Sequence, residues 1–167
     1  FTGGTAGVYF PLGSKYAEML NNHSDIIDAN AVTSGASVTN AKAIGTNECQ
    51  AALLQNDVAY YALKGTNMFE ATIPELSGVA CLYPETIQFV VLADSSIMTL
   101  DDLAGKNVAV GAPGSGTAVA CEQILTAAGI WTGITRFDLN FAEAASALKL
   151  GEVDAGFIVA GAPTPAI

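Results

Sequence analysis

Basic residues are scarce in this sequence. Its 167 residues include 6 Lys and Arg against 16 Asp and Glu, which gives a formal net charge of −10 at pH 7. A protein that binds nucleic acid or anionic lipid needs basic surface to neutralise phosphates. The composition therefore argues against a nucleic-acid partner.

Histidine and cysteine are also rare, and this removes most catalytic and metal chemistry. The one histidine, His23, lies in a polar stretch where a solvated turn is expected. Nucleophilic triads need a histidine, and zinc sites need clustered His and Cys, so we predict no catalytic residue, no metal and no cofactor. Cys49, Cys81 and Cys121 lack metal-type spacing and have small or apolar neighbours. We expect all three to be buried, inert thiols.

Long apolar runs are absent. The longest, such as residues 89–93, fall far short of the roughly 20 residues of a membrane-spanning helix. No basic, hydrophobic leader is present either, and the opening Phe1-Thr2-Gly3-Gly4 is typical of a strand end that runs into a turn. We therefore expect a further segment to precede these residues.

Short apolar runs, polar or glycine-rich clusters and helical patterns alternate along the chain, as in an α/β fold. The 51% of apolar residues can supply a core. We predict helices over 8–21, 38–44, 56–62, from 99, from the end of the loop 111–117 to 128, and over 141–150, with an Asn140/Glu143 capping box on the last. We predict strands over 26–32, 51–54, 79–83, 86–93, 108–110, 134–139 and 153–159.

Two glycine-rich loops, Gly3–Gly7 and Gly114–Thr117, each precede a predicted helix. The second is not a P-loop, because Thr117-Ala118 stands where Lys-Ser/Thr is required, and Val119 breaks the dinucleotide pattern. Both loops can still present backbone N–H groups at a helix N-terminus, which favours an anion of carboxylate size. The alternative is that they are only tight turns and caps.

Polar clusters at 34–37 and 55–57 follow predicted strands. Ligands of open α/β sheets bind outside the carboxyl ends of the strands, so the four clusters together predict a ligand cleft. Arg136 is the only arginine, and no arginine clamp is evident. An acidic ligand would therefore be held by backbone N–H groups, hydroxyls and amides.

Several strings occur in a recognisable order. They are Thr-Gly-Gly-Thr-Ala-Gly-Val-Tyr-Phe-Pro at 2–11, Gln-Asn-Asp-Val-Ala-Tyr at 55–60, Leu-Tyr-Pro-Glu at 82–85 and Val-Gly-Ala-Pro-Gly-Ser-Gly-Thr at 110–117. Segments 141–144, 154–157 and 159–164 continue the series. Together they resemble the TAXI family, the extracytoplasmic solute receptors of TRAP transporters. The sequence departs from the family at 47–50, where a Gly-Glu-Ala-Asp-like start of a strand is usual.

The resemblance implies a type II periplasmic-binding-protein fold, with two α/β lobes, 1–88 and 89–167, around a ligand cleft. It also implies that the opening strand, the export signal and the final third of the family lie outside these residues, so that both lobes are incomplete. The implied protein is a periplasmic or extracytoplasmic receptor, not an enzyme. It would capture a small carboxylate or amino acid, such as glutamate or glutamine, and deliver it to TRAP permease subunits.

Matching the motifs gives the residues expected to bind the ligand. They are Gly4, Thr5, Ala6, Gly7, Val8, Tyr9, Ser34, Ser37, Gln55, Asn56, Tyr83, Gly114, Ser115, Gly116, Thr117, Val159, Ala160 and Gly161.

Two other functions remain open at this point. The same fold and cleft could serve as the ligand-sensing module of a signalling protein. An α/β enzyme would need an acid/base pair, for which Asp57 and Glu85 are the candidates.

Overall fold

Five α-helices and four β-strands form along the chain in the computed structural model, which describes residues 1–167. The helices are α1 (Tyr9–His23), α2 (Ser37–Gly45), α3 (Asn56–Lys64), α4 (Gly116–Ala127) and α5 (Phe141–Leu150). The strands are β1 (Thr86–Val90), β2 (Asn107–Ala109), β3 (Thr135–Phe137) and β4 (Ala155–Ala160), and short 3-10 turns lie at Asp101–Leu103 and Trp131–Gly133. None of the helices is long and apolar enough to cross a membrane.

The chain divides into two units, Phe1–Tyr83 and Pro84–Ile167. The division lies before the predicted boundary at residue 88. The reason is that β1 pairs along its whole length with β4, from Thr86 opposite Ala160 to Val90 opposite Gly156. The strand predicted over 86–93 thus lies within the second unit.

The first unit contains α1, α2 and α3 but no regular strand, so the predicted strands 26–32, 51–54 and 79–83 are wrong. The first two segments flank Phe1 and Thr2. The Thr2 N–H donates to the Val32 carbonyl (3.0 Å), and the Leu53 N–H donates to the Phe1 carbonyl (3.1 Å). These two hydrogen bonds do not extend into a ladder, so no strand forms at either segment.

Helix α1 continues two residues beyond its predicted end and includes His23. The His23 ring nitrogen Nδ1 lies 2.8 Å from the Met19 carbonyl oxygen, one helical turn back. His23 therefore belongs to the last turn of a helix, whereas the sequence predicted a solvated turn.

The second unit is built on a sheet with the strand order β1-β4-β2-β3. β2 runs parallel to β3 and β4, and β1 runs antiparallel to β4. Helix α4 covers one face, where Cys121 and Leu125 pack with Val108 and Phe157. Helix α5 covers the other, where Ala144 and Leu148 pack with Ala109. The result is a three-layer α/β sandwich.

The termini of α5 lie where the sequence places them. The Asn140 side chain accepts from the Glu143 N–H (3.1 Å), and the Glu143 carboxylate accepts from the Asn140 N–H (2.9 Å). Gly151 ends the helix in the left-handed conformation, at φ 72°. The predicted capping box is confirmed.

The three thiols differ in exposure. Cys49 and Cys121 are buried, but Cys81 is exposed, so the expectation of three buried thiols is wrong for Cys81. Cys81 lies in the run 79–83, which pairs with no strand that could cover it. Burial, with a smaller contribution from the charge of Glu122, raises the pKa of Cys121 to about 12.

We expect one thiol per native chain to react with Ellman's reagent at pH 8, because only Cys81 is exposed. Cys121 should stay unreacted, since burial holds it in the thiol form. Absorbance at 412 nm measures the exposed thiol before denaturant is added and all three thiols afterwards. The variant Cys81→Ser should show no native reaction, and fast native labelling of that variant would contradict the assignment.

Candidate functional site

The first turns of three helices meet in the first unit. A Cβ placed on Gly3 would lie 3.5 Å from the Tyr9 Cβ and 3.6 Å from the Ala36 Cβ, so the beginnings of α1 and α2 are adjacent. The Gln55 N–H donates to the Ser37 Oγ (3.0 Å), which joins the beginning of α3 to that of α2. We call this group, residues 3–9, 34–37 and 55–56, the N-terminal cluster.

None of these three helices is capped by the side chain of its own N-cap residue. The N-cap residues are Val8, Ala36 and Gln55, and none of their side chains accepts a hydrogen bond from the first turn. First-turn N–H groups have no acceptor within their own helix, and together with the helix dipole they make such a terminus favourable for an anion. The three ends differ in the donors they offer: Pro11 in the first turn of α1 has no N–H, and in α3 the Asp57 carboxylate already accepts from the Val58 N–H (2.8 Å).

The glycine loop before α1 is partly open to solvent. Gly4 and Thr5 are exposed, Ala6, Val8 and Tyr9 are half-buried, and Gly7 is buried. The Gly7 N–H donates to the Gly4 carbonyl (3.2 Å), which closes the turn. Backbone at the tip of this loop is thus accessible to a ligand.

Two of the predicted ligand residues, Ser34 and Ser37, make internal hydrogen bonds. The Ser34 hydroxyl lies 2.6 Å from Asn40 Oδ1 and accepts from the Ala36 N–H at 3.0 Å. Ser37 is buried, and its Oγ accepts from Gln55. Both serines hold the loops of the cluster in place.

Asn40, which was not among the residues predicted from the sequence, is fully buried in this unit. Its Nδ2 donates to the carbonyls of Thr2 (2.7 Å) and Leu53 (2.8 Å), and its Oδ1 faces the Ser34 hydroxyl. One amide thus joins three segments that end at the cluster. The sequence pattern that could have identified Asn40 is its position on the apolar side of a predicted helix, between Val38 and Ala41.

Ala36 was also missed, and its backbone has φ 67° and ψ −146°. This region is almost reserved for glycine, and occupying it typically costs about 1–3 kcal/mol. The Ser34 hydroxyl holds the Ala36 N–H, and the Ala36 Cβ lies over Gly3. Such strain is often concentrated at binding sites, because the surrounding contacts must impose it.

The other predicted residues of the first unit differ in exposure. Gln55 is only 8% exposed, Asn56 is exposed, and Tyr83, the last residue of the unit, is half-buried. The carbonyl oxygen Oε1 of Gln55 is buried and has no hydrogen-bond partner.

The second unit has one glycine loop, between β2 and α4. Ser115 caps α4, since its Oγ accepts from the Ala118 N–H at 3.1 Å. Gly114 has φ 77°, Gly116 is buried, and the Ser115 and Thr117 side chains are also buried. For Ser115 a capping role is therefore established.

The predicted residues on β4 lie beside this loop in the topology. β2 and β4 are parallel, so their carboxyl ends point to the same edge of the sheet. The Val159 side chain packs in the core, Ala160 pairs with Thr86 at the strand end, and Gly161 is half-buried. Only backbone groups at this strand end remain for a ligand.

Two further polar atoms in the second unit are buried without a partner. They are Nε2 of Gln88, which pairs with Ile158 in the sheet, and the hydroxyl of Thr164, which follows β4. The sequence analysis assigned neither residue to the site.

The chain matches the NMT1-like family from residue 1 to residue 167. It belongs to that family. The NMT1-like family is a broader assignment than the TAXI family that the sequence strings resemble. The matched residues include both the N-terminal cluster and the second glycine loop.

Solved structures show the fold of this NMT1-like chain. The alkanesulfonate-binding protein SsuA from Xanthomonas axonopodis pv. citri, bound to MOPS, is 23% identical over 94% of this chain and 53% of its own, with a TM-score of 0.62. The predicted periplasmic-binding-protein fold is confirmed by this likeness.

Two further structures have lower TM-scores. The periplasmic aliphatic sulphonate binding protein SsuA from Escherichia coli is 35% identical over 46% of this chain and 24% of its own, with a TM-score of 0.39. An ancestral arginine-binding protein bound to glutamine is 25% identical over 71% of this chain and 56% of its own, with a TM-score of 0.40. The chain thus spans about a quarter to just over half the length of these three proteins.

Proposed function

We propose that this chain is the ligand-binding part of an extracytoplasmic solute receptor for a small carboxylate or amino acid. The observation that carries the proposal is the N-terminal cluster, where three helices begin together and none is capped by its N-cap side chain, although the Asp57 carboxylate already accepts from one first-turn N–H of α3. The fold, which the chain shares with a sulfonate-binding protein, supports it.

The ligand's anionic group is held by backbone in this proposal. With a net charge of −10 the protein repels anions at long range, so the attraction must be local. Charge-assisted hydrogen bonds from backbone N–H groups are worth about 1.5–3 kcal/mol each. Two or three of them on one carboxylate are enough for a specific complex.

Delivery to a TRAP permease, a periplasmic or extracytoplasmic location and a glutamate- or glutamine-like ligand are the finer parts of the proposal. They are supported by the strings at 2–11, 55–60, 82–85 and 110–117. A non-enzymatic role fits the fold of binding proteins. The ligand contacts proposed within the second unit are backbone groups of Gly114–Thr117 and of Val159–Gly161.

A blocking substitution tests the proposed site. Gly4 is exposed, and a Cβ added to it meets nothing within 4 Å, so Gly4→Leu should fold normally and yet fill the space above the loop. We expect it to weaken ligand binding at least about tenfold, equivalent to about 1.4 kcal/mol, with an unchanged melting temperature. Calorimetry of the full-length protein with glutamate and glutamine measures the change.

The matched control is Gly78→Leu. Gly78 is also exposed and has open space at its Cβ position, but it lies outside the N-terminal cluster. It should bind as the wild type does. Equal affinities of the Gly4→Leu variant and the wild type would contradict the placement of the site.

A further inference from the structure

Gln55 is the one member of the N-terminal cluster with a buried side-chain acceptor that nothing satisfies. The residue is 8% exposed, and its Oε1 has no hydrogen-bond partner. Buried polar atoms in folded proteins are almost always paired, so an orphan of this kind needs an explanation. A missing donor that arrives with a ligand is one such explanation.

Gln55 is not needed as a helix cap. It occupies the N-cap position of α3, but its side chain makes no capping bond there. Its backbone N–H already donates to Ser37 Oγ, which fixes the residue beside the first turn of α2. The N-cap residue of α3 thus keeps a buried side-chain carbonyl that neither the helix nor its neighbours satisfy.

The chemistry of the surrounding groups is complementary to that carbonyl. The helix ends offer N–H donors, which suit an anion, whereas Gln55 Oε1 offers an acceptor, which suits an N–H donor. A ligand with an anionic group next to an ammonium group satisfies both. A simple dicarboxylate leaves Gln55 unpaired, as it is without a ligand, and therefore lacks the affinity that this hydrogen bond adds.

We propose that Gln55 is a specificity-determining residue that accepts a hydrogen bond from the ammonium group of the ligand. The receptor therefore selects amino acids over the corresponding acids without nitrogen. This inference rests on the proposed function, because it assigns a role within the same site.

Pairs of ligands that differ only in the amino group test the inference. They are glutamate and glutarate, glutamine and glutaramic acid, and taurine and ethanesulfonate, the last pair covering a sulfonate as the anion. Calorimetry of the full-length protein should show that the amino member of the bound pair binds roughly 10- to 100-fold more tightly, as expected for a charged hydrogen bond. If the wild-type protein binds both members of that pair with equal affinity, the inference is overturned, and no variant is needed to decide it.

The variant Gln55→Met removes the acceptor and keeps the length of the side chain. We expect the preference for the amino member to fall below roughly threefold, mainly through weaker binding of that member. Gln55→Glu keeps an acceptor and should retain the preference, which distinguishes a lost contact from a disturbed fold. A preference that survives in Gln55→Met overturns the inference, and a wild type that binds none of the six ligands overturns the proposed function itself.

Discussion

Replacing Asn40 with alanine is expected to lower the free energy of unfolding by about 3 kcal/mol, since hydrogen bonds to buried groups that lose their partner cost about 1–3 kcal/mol each. Asn40 is fully buried, and its amide bonds to the Thr2 and Leu53 carbonyls and to the Ser34 hydroxyl. Urea denaturation followed by circular dichroism measures the loss. Ligand affinity should fall as well, because these segments lead into the N-terminal cluster.

Asn22→Ala is the matched control. Asn22 is an exposed asparagine on α1, so its replacement should change the stability by less than about 0.5 kcal/mol. A loss below about 1 kcal/mol in Asn40→Ala would contradict the role given to Asn40, since it would be smaller than one such buried bond.

The pH dependence of the stability of the variant Asn40→Asp gives a second test of the role of Asn40. It places a carboxylate oxygen against the carbonyls of Thr2 and Leu53, and this raises the pKa of the new carboxyl above its unfolded value of about 3.9. A raised pKa means that the folded state binds the proton more tightly. The penalty relative to the wild type is therefore largest at neutral pH and shrinks as the pH falls through the raised pKa.

Replacing Gly111 with alanine is expected to destabilise the second unit by about 2–4 kcal/mol, because it adds overpacking to backbone strain. Gly111 has φ 112°, and a Cβ there would lie 2.8 Å from the backbone nitrogen of Ala118 and 2.9 Å from Thr117 Cγ2. The backbone of α4 cannot move aside without loosening the Ser115 cap. Since 1 kcal/mol shifts the melting temperature of a chain of this size by about 2–4 °C, calorimetry should show a fall of about 4–16 °C.

Gly129→Ala separates the two causes. Gly129 also has a positive φ, 74°, but a Cβ there meets nothing within 4 Å. In this variant the free energy of unfolding should fall only by the cost of backbone strain at a positive φ, about 1–2 kcal/mol. Equal losses in the two variants would mean that the close packing of Gly111 against α4 contributes nothing.

Local signals predicted the second unit well. Helix α5 has its predicted bounds because the Asn140/Glu143 capping box and Gly151 are encoded within a few residues of each other. Each predicted strand from 86 onward also exists; β1, β3 and β4 are shorter than predicted, and β2 has the predicted length but begins one residue earlier. Such features depend on neighbours in the sequence, and a pattern of residues is sufficient to specify them.

The first unit was predicted less well, because its segments depend on distant partners. Residues 26–32 and 51–54 have the composition of strands, but their backbone hydrogen bonds to residues 1–2 are isolated, and a strand requires a ladder. The expected burial of Cys81 was wrong for the same kind of reason. Its neighbours in sequence are apolar, but no other segment of the chain packs over it.

The sequence by itself determined the α/β class, the two glycine-rich loops that precede helices and the scarcity of basic residues, because these follow from composition and from spacing along the chain. Only the tertiary structure decided which groups meet. Residues 38 positions apart in the chain, Thr2 and Asn40, share a hydrogen bond, and the Gln55 acceptor is left without one. Whether a polar atom is satisfied depends on every atom packed around it, and those atoms come from segments that the chain brings together only when it folds.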